Sequence, residues 1–93
     1  MDENQNTRES AIEETVSREE RQKDIILYND DVNTFDFVIK ALVKVCHHDL
    51  IQAEQCTHII HYNGKCSVKR GSYKNLEPIC LKLLDLGLSA KIE

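Results

Sequence analysis

A chain of 93 residues whose first two dozen carry few apolar side chains leaves about 70 residues for folding, enough for one small domain with a single core. Twelve Lys and Arg against sixteen Asp and Glu give a net charge of −4, which argues against a broad phosphate-neutralising face and so against a nucleic-acid partner. No apolar run approaches the ~20 residues that cross a bilayer, so no membrane role is expected.

From Met1 to Asp24 the chain is rich in Glu, Arg, Gln, Asn, Ser and Thr, interrupted only by Ala11, Ile12 and Val16. Such a segment cannot offset the entropy of ordering, so residues 1–24 are expected to form a flexible tail and residues 25–93 the folded domain. Order is expected to begin with Ile25-Ile26-Leu27-Tyr28, a short β-branched run bounded by the turn-forming Asn29-Asp30-Asp31. Asn33, with Asp36 three residues on, can cap a first helix whose inner stripe is Phe37, Val38, Ala41, Leu42, Val45 and Cys46.

His47-His48-Asp49 breaks that pattern, and Asp49 with Gln52 has the form of a capping box opening a second helix. Leu50, Ala53, Cys56, Thr57 and Ile60 form its inner face, and Asn63-Gly64 closes it. Cys66 and Val68 alternate with Ser67 and Lys69 as a second strand. A third helical stripe of Leu76, Ile79, Cys80, Leu83 and Leu84 contains Pro78, which places its regular start near Asn75 after a turn over 72–74. Gly87 stops that helix, and the alternation of Leu88, Ala90 and Ile92 predicts a last strand. The order strand, helix, helix, strand, helix, strand predicts an α+β domain, three helices packed on one face of a small three-stranded antiparallel sheet.

Chemistry-bearing patterns are sparse. There is no glycine-rich phosphate loop, no nucleophile elbow and no acid pair on one helix face, so no enzyme is expected. His58 and His61 lie one turn apart and Cys46-His47-His48 adjoin, but no Cys-x-x-Cys or His-Glu-x-x-His element accompanies them, and neither metal nor cofactor is expected. Cys46, Cys56, Cys66 and Cys80 follow no apolar signal segment, which implies reduced thiols and a cytoplasmic location.

Two clusters stand apart from ordinary core and cap residues: Asn29-Asp30-Asp31 at a strand-to-helix junction and His61-Tyr62-Asn63-Gly64 at a helix end. Together with Ile26-Leu27-Tyr28 before the first, Phe35-Asp36-Phe37-Val38 after it, Lys65 after the second, and the closing Gly87-Leu88, their order and spacing resemble the ClpS family of N-degron adaptors over residues 24–93. Asn33-Thr34 stands where the family often has Thr-Pro, and Phe35 and Thr57 where it often has Met.

The resemblance implies a protein that binds bulky hydrophobic N-terminal residues (Phe, Leu, Trp, Tyr) of substrate proteins. It delivers them to the N-terminal domain of a Clp AAA+ unfoldase, ClpA- or ClpC-like, for proteolysis. On the same basis Asn29, Asp30 and His61 contact the substrate α-amine, Asp31 and Asn33 order the loop, and Phe35 stands at the rim. Leu27, Val38, Thr57, Ile60 and Leu88 line the hydrophobic pocket. The alternatives on the same residues are a generic protein-interaction module without free-amine recognition and a small metal-binding protein built on the histidines and cysteines.

Overall fold

The computed structural model describes residues 21–93 and consists of β1 (Gln22–Tyr28), α1 (Phe35–Cys46), α2 (Leu50–Asn63), β2 (Lys65–Ser72), α3 (Tyr73–Asp85) and β3 (Ser89–Ile92). The sheet order is β2-β1-β3 with both pairings antiparallel, so β1 is central. Ile25 and Leu27 alternate inward along β1 and are fully buried, as a strand with one covered face requires. They meet Leu42 and Cys46 from α1 and Leu76 and Leu83 from α3 in one continuous core.

The element order agrees with the sequence reading, but Phe37, Leu50 and Leu84, expected on inner stripes, are exposed at 37%, 60% and 45%, and three details of boundaries and caps also differ. First, β1 starts at Gln22, three residues early. Gln22, Lys23 and Asp24 pair with Ser72, Gly71 and Arg70, and Asp24 and Glu93 exchange both backbone hydrogen bonds at 2.8 Å. Backbone pairing needs no apolar side chain, so hydrophobic patterning does not reveal it. Residues 1–20 of the expected tail lie outside the described residues.

Second, Thr34 rather than Asn33 caps α1, its hydroxyl accepting from the Phe37 N–H at 3.1 Å. Third, α3 begins at Tyr73, capped by Ser72, and carries Pro78 in its second turn. The missing proline N–H leaves only the Lys74 carbonyl without its helical donor, and both residues are exposed, so water can serve it.

The other helix ends follow the sequence. Asp49 caps α2 by accepting from the Gln52 N–H at 2.7 Å, and Gly64 closes it at φ 91°. At the end of α3 the Leu88 N–H reaches the Leu83 carbonyl and the Gly87 N–H the Leu84 carbonyl, with Gly87 at φ 86°. This is a Schellman closure, and it turns Leu88 back into the core. His48, between α1 and α2, is buried, and its Nε2–H donates at 2.6 Å to the carbonyl of Val68, the residue at which the β1–β2 register slips.

Candidate functional site

The β1–α1 loop, residues 29–34, is held by three sets of hydrogen bonds. Its first residue donates backbone N–H to the Gly64 carbonyl at 2.8 Å, which joins Asn29 to the end of α2. Asp30 folds the loop on itself: Oδ1 accepts from the N–H groups of Val32 (2.9 Å) and Asn33 (2.7 Å), and Oδ2 from Asn33 Nδ2 (2.9 Å). Asn33 Nδ2 also donates to the Gly87 carbonyl at 3.0 Å, which joins the loop to the end of α3. Loop ordering therefore falls to Asp30 together with Asn33, while Asp31 is exposed.

Beside this loop lies a cavity of about 300 Å³. Asn29, Asp30, Asp31 and Asn33 contribute from the loop, Phe35 and Val38 from the start of α1, and Thr57, Ile60 and His61 from α2. A recess of about 20 Å³ shares Asn29, Asp30, Asn33, Val38 and Ile60 and adds Leu27, Tyr28 and Leu88. All eleven residues singled out in the sequence line this cavity or the recess beside it, although they come from three separate stretches of the chain, 27–38, 57–61 and 88.

The wall and the mouth differ in chemistry. Val38, Thr57 and Ile60 are buried, and the Thr57 hydroxyl donates to the Ala53 carbonyl at 2.7 Å, so its one donor is used within α2 and its methyl group serves the wall. The mouth carries Asn29, Asp31 and His61, all exposed, and the half-buried Asp30. Hydrogen bonds from the Asn33 N–H first, then from the Asn33 side chain, with a smaller one from the Val32 N–H, hold the Asp30 carboxyl below its usual range. Asp30 is therefore an anion at neutral pH. Of its four acceptor sites, the loop occupies two on Oδ1 and one on Oδ2, which leaves one on Oδ2 for a ligand.

An aromatic rim extends further than the sequence reading placed it. Phe35 meets His58 edge-on at 4.8 Å and His61 at 6.1 Å, and Tyr62 stacks parallel to His58 at 6.1 Å. The spacing of His58, His61 and Tyr62, three and four residues apart on one helix face, carried this signal. Among the described residues no group of three or more His, Cys, Asp or Glu converges as a metal would require. No helix among them is long and apolar enough to cross a membrane.

The model of the family described as ATP-dependent Clp protease adaptor protein ClpS matches residues 18–91. Over 54 residues the chain is 43% identical to the ATP-dependent Clp protease adapter protein ClpS of Campylobacter jejuni subsp. jejuni strain 81-176, and equally to that of Campylobacter jejuni subsp. doylei. Each match covers 58% of this chain and 56% of the relative, so the chain matches little more than half the length of these curated relatives. The structure of Agrobacterium tumefaciens ClpS2 bound to L-phenylalaninamide superposes with a TM-score of 0.74 at 22% identity, over 77% of this chain and 94% of that one, a likeness of fold. With the family model spanning every described strand and helix but the last residue of β3, the chain belongs to the ClpS family of Clp protease adaptor proteins.

Proposed function

We propose that this chain is a non-catalytic adaptor that captures proteins through a bulky hydrophobic N-terminal residue, Phe, Leu, Trp or Tyr, and hands them to a Clp AAA+ unfoldase. The observation that carries this reading is the pairing of a buried apolar wall, Val38, Thr57 and Ile60, with a mouth of hydrogen-bond acceptors at Asn29, Asp30 and His61. An N-terminal residue has the complementary form, an apolar side chain beside an ammonium group. The α-amine, with a pKa of about 8, is mostly cationic at pH 7 and offers three donors, which no internal peptide nitrogen can match.

In this reading the substrate side chain enters between Val38 and Ile60 toward the recess at Leu27 and Leu88. Its amine takes the open site on Asp30 Oδ2, with Asn29 and His61 beside it. The side chain of Phe35 stands at the entrance and excludes water from one flank. The ligand of the Agrobacterium protein, L-phenylalaninamide, is an aromatic residue with a free amine, and it is the kind of group this pocket would take. Desolvating one such side chain contributes about 1.5–3 kcal/mol, so tight capture needs the amine contacts as well.

The partner on the proteolytic side is the N-terminal domain of a ClpA- or ClpC-like unfoldase in the cytoplasm, and residues preceding β1 act as the tail engaged at handover. The deciding experiment compares a Phe-initiated peptide with its N-acetylated form in a binding titration. Acetylation removes charge and two donors and is expected to weaken binding by roughly ten- to a hundredfold. Equal affinity for both would leave a generic interaction module instead.

A further inference from the structure

A second cavity, of about 430 Å³, shares no residue with the recognition pocket and lies at the other ends of the same two helices. Cys46 contributes from the end of α1, His47 and His48 from the link that follows, and Gln52 from the first turn of α2. Asp24 joins them from β1 and residues 67–70 from β2. The volume is that of a small-molecule site. Nothing in N-terminus recognition uses these residues.

The charges around this cavity do not balance. Lys69 Nζ donates to the Cys46 carbonyl at 3.2 Å, which fixes the ammonium between β2 and the end of α1 and leaves it two further donors. Arg70, next in the chain, is exposed, as is the imidazole of His47. Asp24, whose carboxylate accepts from the Ser67 hydroxyl at 2.7 Å, is the one acid among the lining residues. Burial pushes the Cys46 thiol up to about 11, so it carries no charge at neutral pH. Gln52 is neutral, and Asp49, adjoining His48 in the chain, commits Oδ1 to the Gln52 N–H.

His48 lines the same cavity and is only 5% exposed. Its partner is the carbonyl of Val68, which can only accept, so the ring hydrogen belongs to Nε2. Nδ1 is then a lone pair in the neutral ring. Among the described residues it is the one buried side-chain polar atom without a hydrogen-bond partner. A proton on Nδ1 removes the orphaned lone pair but makes the ring a buried cation in the same wall as Lys69 and Arg70, a state that requires negative charge close by.

We propose that this cavity is an oxyanion site, in which a sulfate, phosphate or carboxylate group is held by Lys69 and Arg70 and its arrival is coupled to proton uptake by His48. The anion supplies the charge that the imidazolium lacks, and the imidazolium strengthens the anion's binding by the same factor. Residues 1–20 hold seven Asp and Glu against two Arg, so the chain itself is one source of carboxylates and a free anion is the other.

The test titrates sodium sulfate into the full chain at constant ionic strength, followed by NMR of the backbone amides and imidazole rings. Sulfate keeps its double charge between about pH 5.5 and 8, so any pH dependence belongs to the protein. Saturable shifts centred on residues 46–52 and 67–70 are expected, with affinity at least tenfold higher at pH 5.5 than at pH 8. Arg70→Gln should weaken binding at least fivefold at both ends of that range. His48→Gln, whose amide can still donate to the Val68 carbonyl, should abolish the pH dependence. His47→Asn, which tolerates the left-handed backbone at φ 59°, should keep it. Should His48→Gln fold poorly, the wild type decides, because its His48 ring signals should move to their protonated positions as sulfate is added at pH 7. In the full chain with the seven acidic residues of 1–20 replaced by their amides, sulfate binding at least fivefold tighter assigns the site to the chain's own carboxylates, and unchanged affinity assigns it to a free anion. Shifts that never saturate, affinity independent of pH, a pH dependence that survives His48→Gln, or a His48 ring that stays neutral at saturation would overturn the proposal.

Discussion

Replacing Asp30 by Ala removes two things at once, and the structure separates them. In the free protein the carboxylate accepts from the Val32 N–H, the Asn33 N–H and the Asn33 amide. Val32 is 88% exposed, so water replaces that bond at little cost. The two bonds to Asn33 are partly buried, and at about 0.5–1.5 kcal/mol each their loss should lower stability by about 1–3 kcal/mol. For a domain of this size each kcal/mol corresponds to roughly 4–8 °C in the unfolding midpoint.

Binding carries a second cost, the charge-assisted bond from the ligand amine to the remaining site on Oδ2, about 1.5–3 kcal/mol or roughly ten- to 150-fold in Kd. Titration of a labelled Phe-initiated peptide, at a temperature well below the variant's midpoint, measures that cost on folded protein. Asp30→Asn sharpens the comparison. Its carbonyl can keep both backbone bonds on the Oδ1 side, but its amide would face Asn33 Nδ2 donor to donor and offers the ligand no charge. Unchanged affinity in Asp30→Ala, with an unchanged midpoint, would refute both the loop role and the amine contact.

The acid limb of stability should also report Asp30. Its carboxyl is held lower in the folded loop than in the unfolded chain, so its contribution is fully present above the unfolded value of about 3.9 and is lost as pH falls through the lower folded value. Midpoints measured from pH 6 down to 2.5 should therefore converge between wild type and Asp30→Asn at the acid end. Thr57→Met fills part of the 300 Å³ cavity and should weaken a Trp-initiated peptide more than a Leu-initiated one, by roughly tenfold, as read from paired titrations. Gly87→Ala meets no atom within 4 Å but must hold φ at +86°, so a loss of about 1–2 kcal/mol from backbone strain alone is expected in denaturant unfolding. A chain beginning at Arg21 keeps all of β1 and should bind peptide as tightly as the full chain, yet fail to accelerate degradation of an N-degron substrate in a reconstituted unfoldase and protease assay.

How far the sequence carries depends on whether a residue's role is local. Asp49, Gly64 and Gly87 were legible because a cap or a left-handed turn is decided within a few residues. Asn33 and Thr34 could each cap α1, and the choice between them is made by the Gly87 carbonyl, 54 residues away, which engages the Asn33 amide. For the same reason the division of labour between Asp30 and Asp31 could not be read from an Asn-Asp-Asp run. The buried His48 was equally opaque, because its partner is a carbonyl at a register slip between two other strands.

The two carbonyls that hold the loop, from Gly64 and Gly87, belong to residues that close helices α2 and α3, so the β1–α1 loop is tied to two helix C termini. Each such terminus behaves as roughly half a negative charge, because the peptide dipoles of the helix align along its axis. The mouth of the cavity is thus electronegative through its backbone, before any carboxylate is counted. A cation arriving there is favoured by dipoles that neither protonation nor substitution of a side chain can remove. Preference for a charged over a blocked N-terminus should for that reason survive, reduced, in Asp30→Asn, whereas disrupting the closure at Gly87 should erode it without touching any group that meets the ligand.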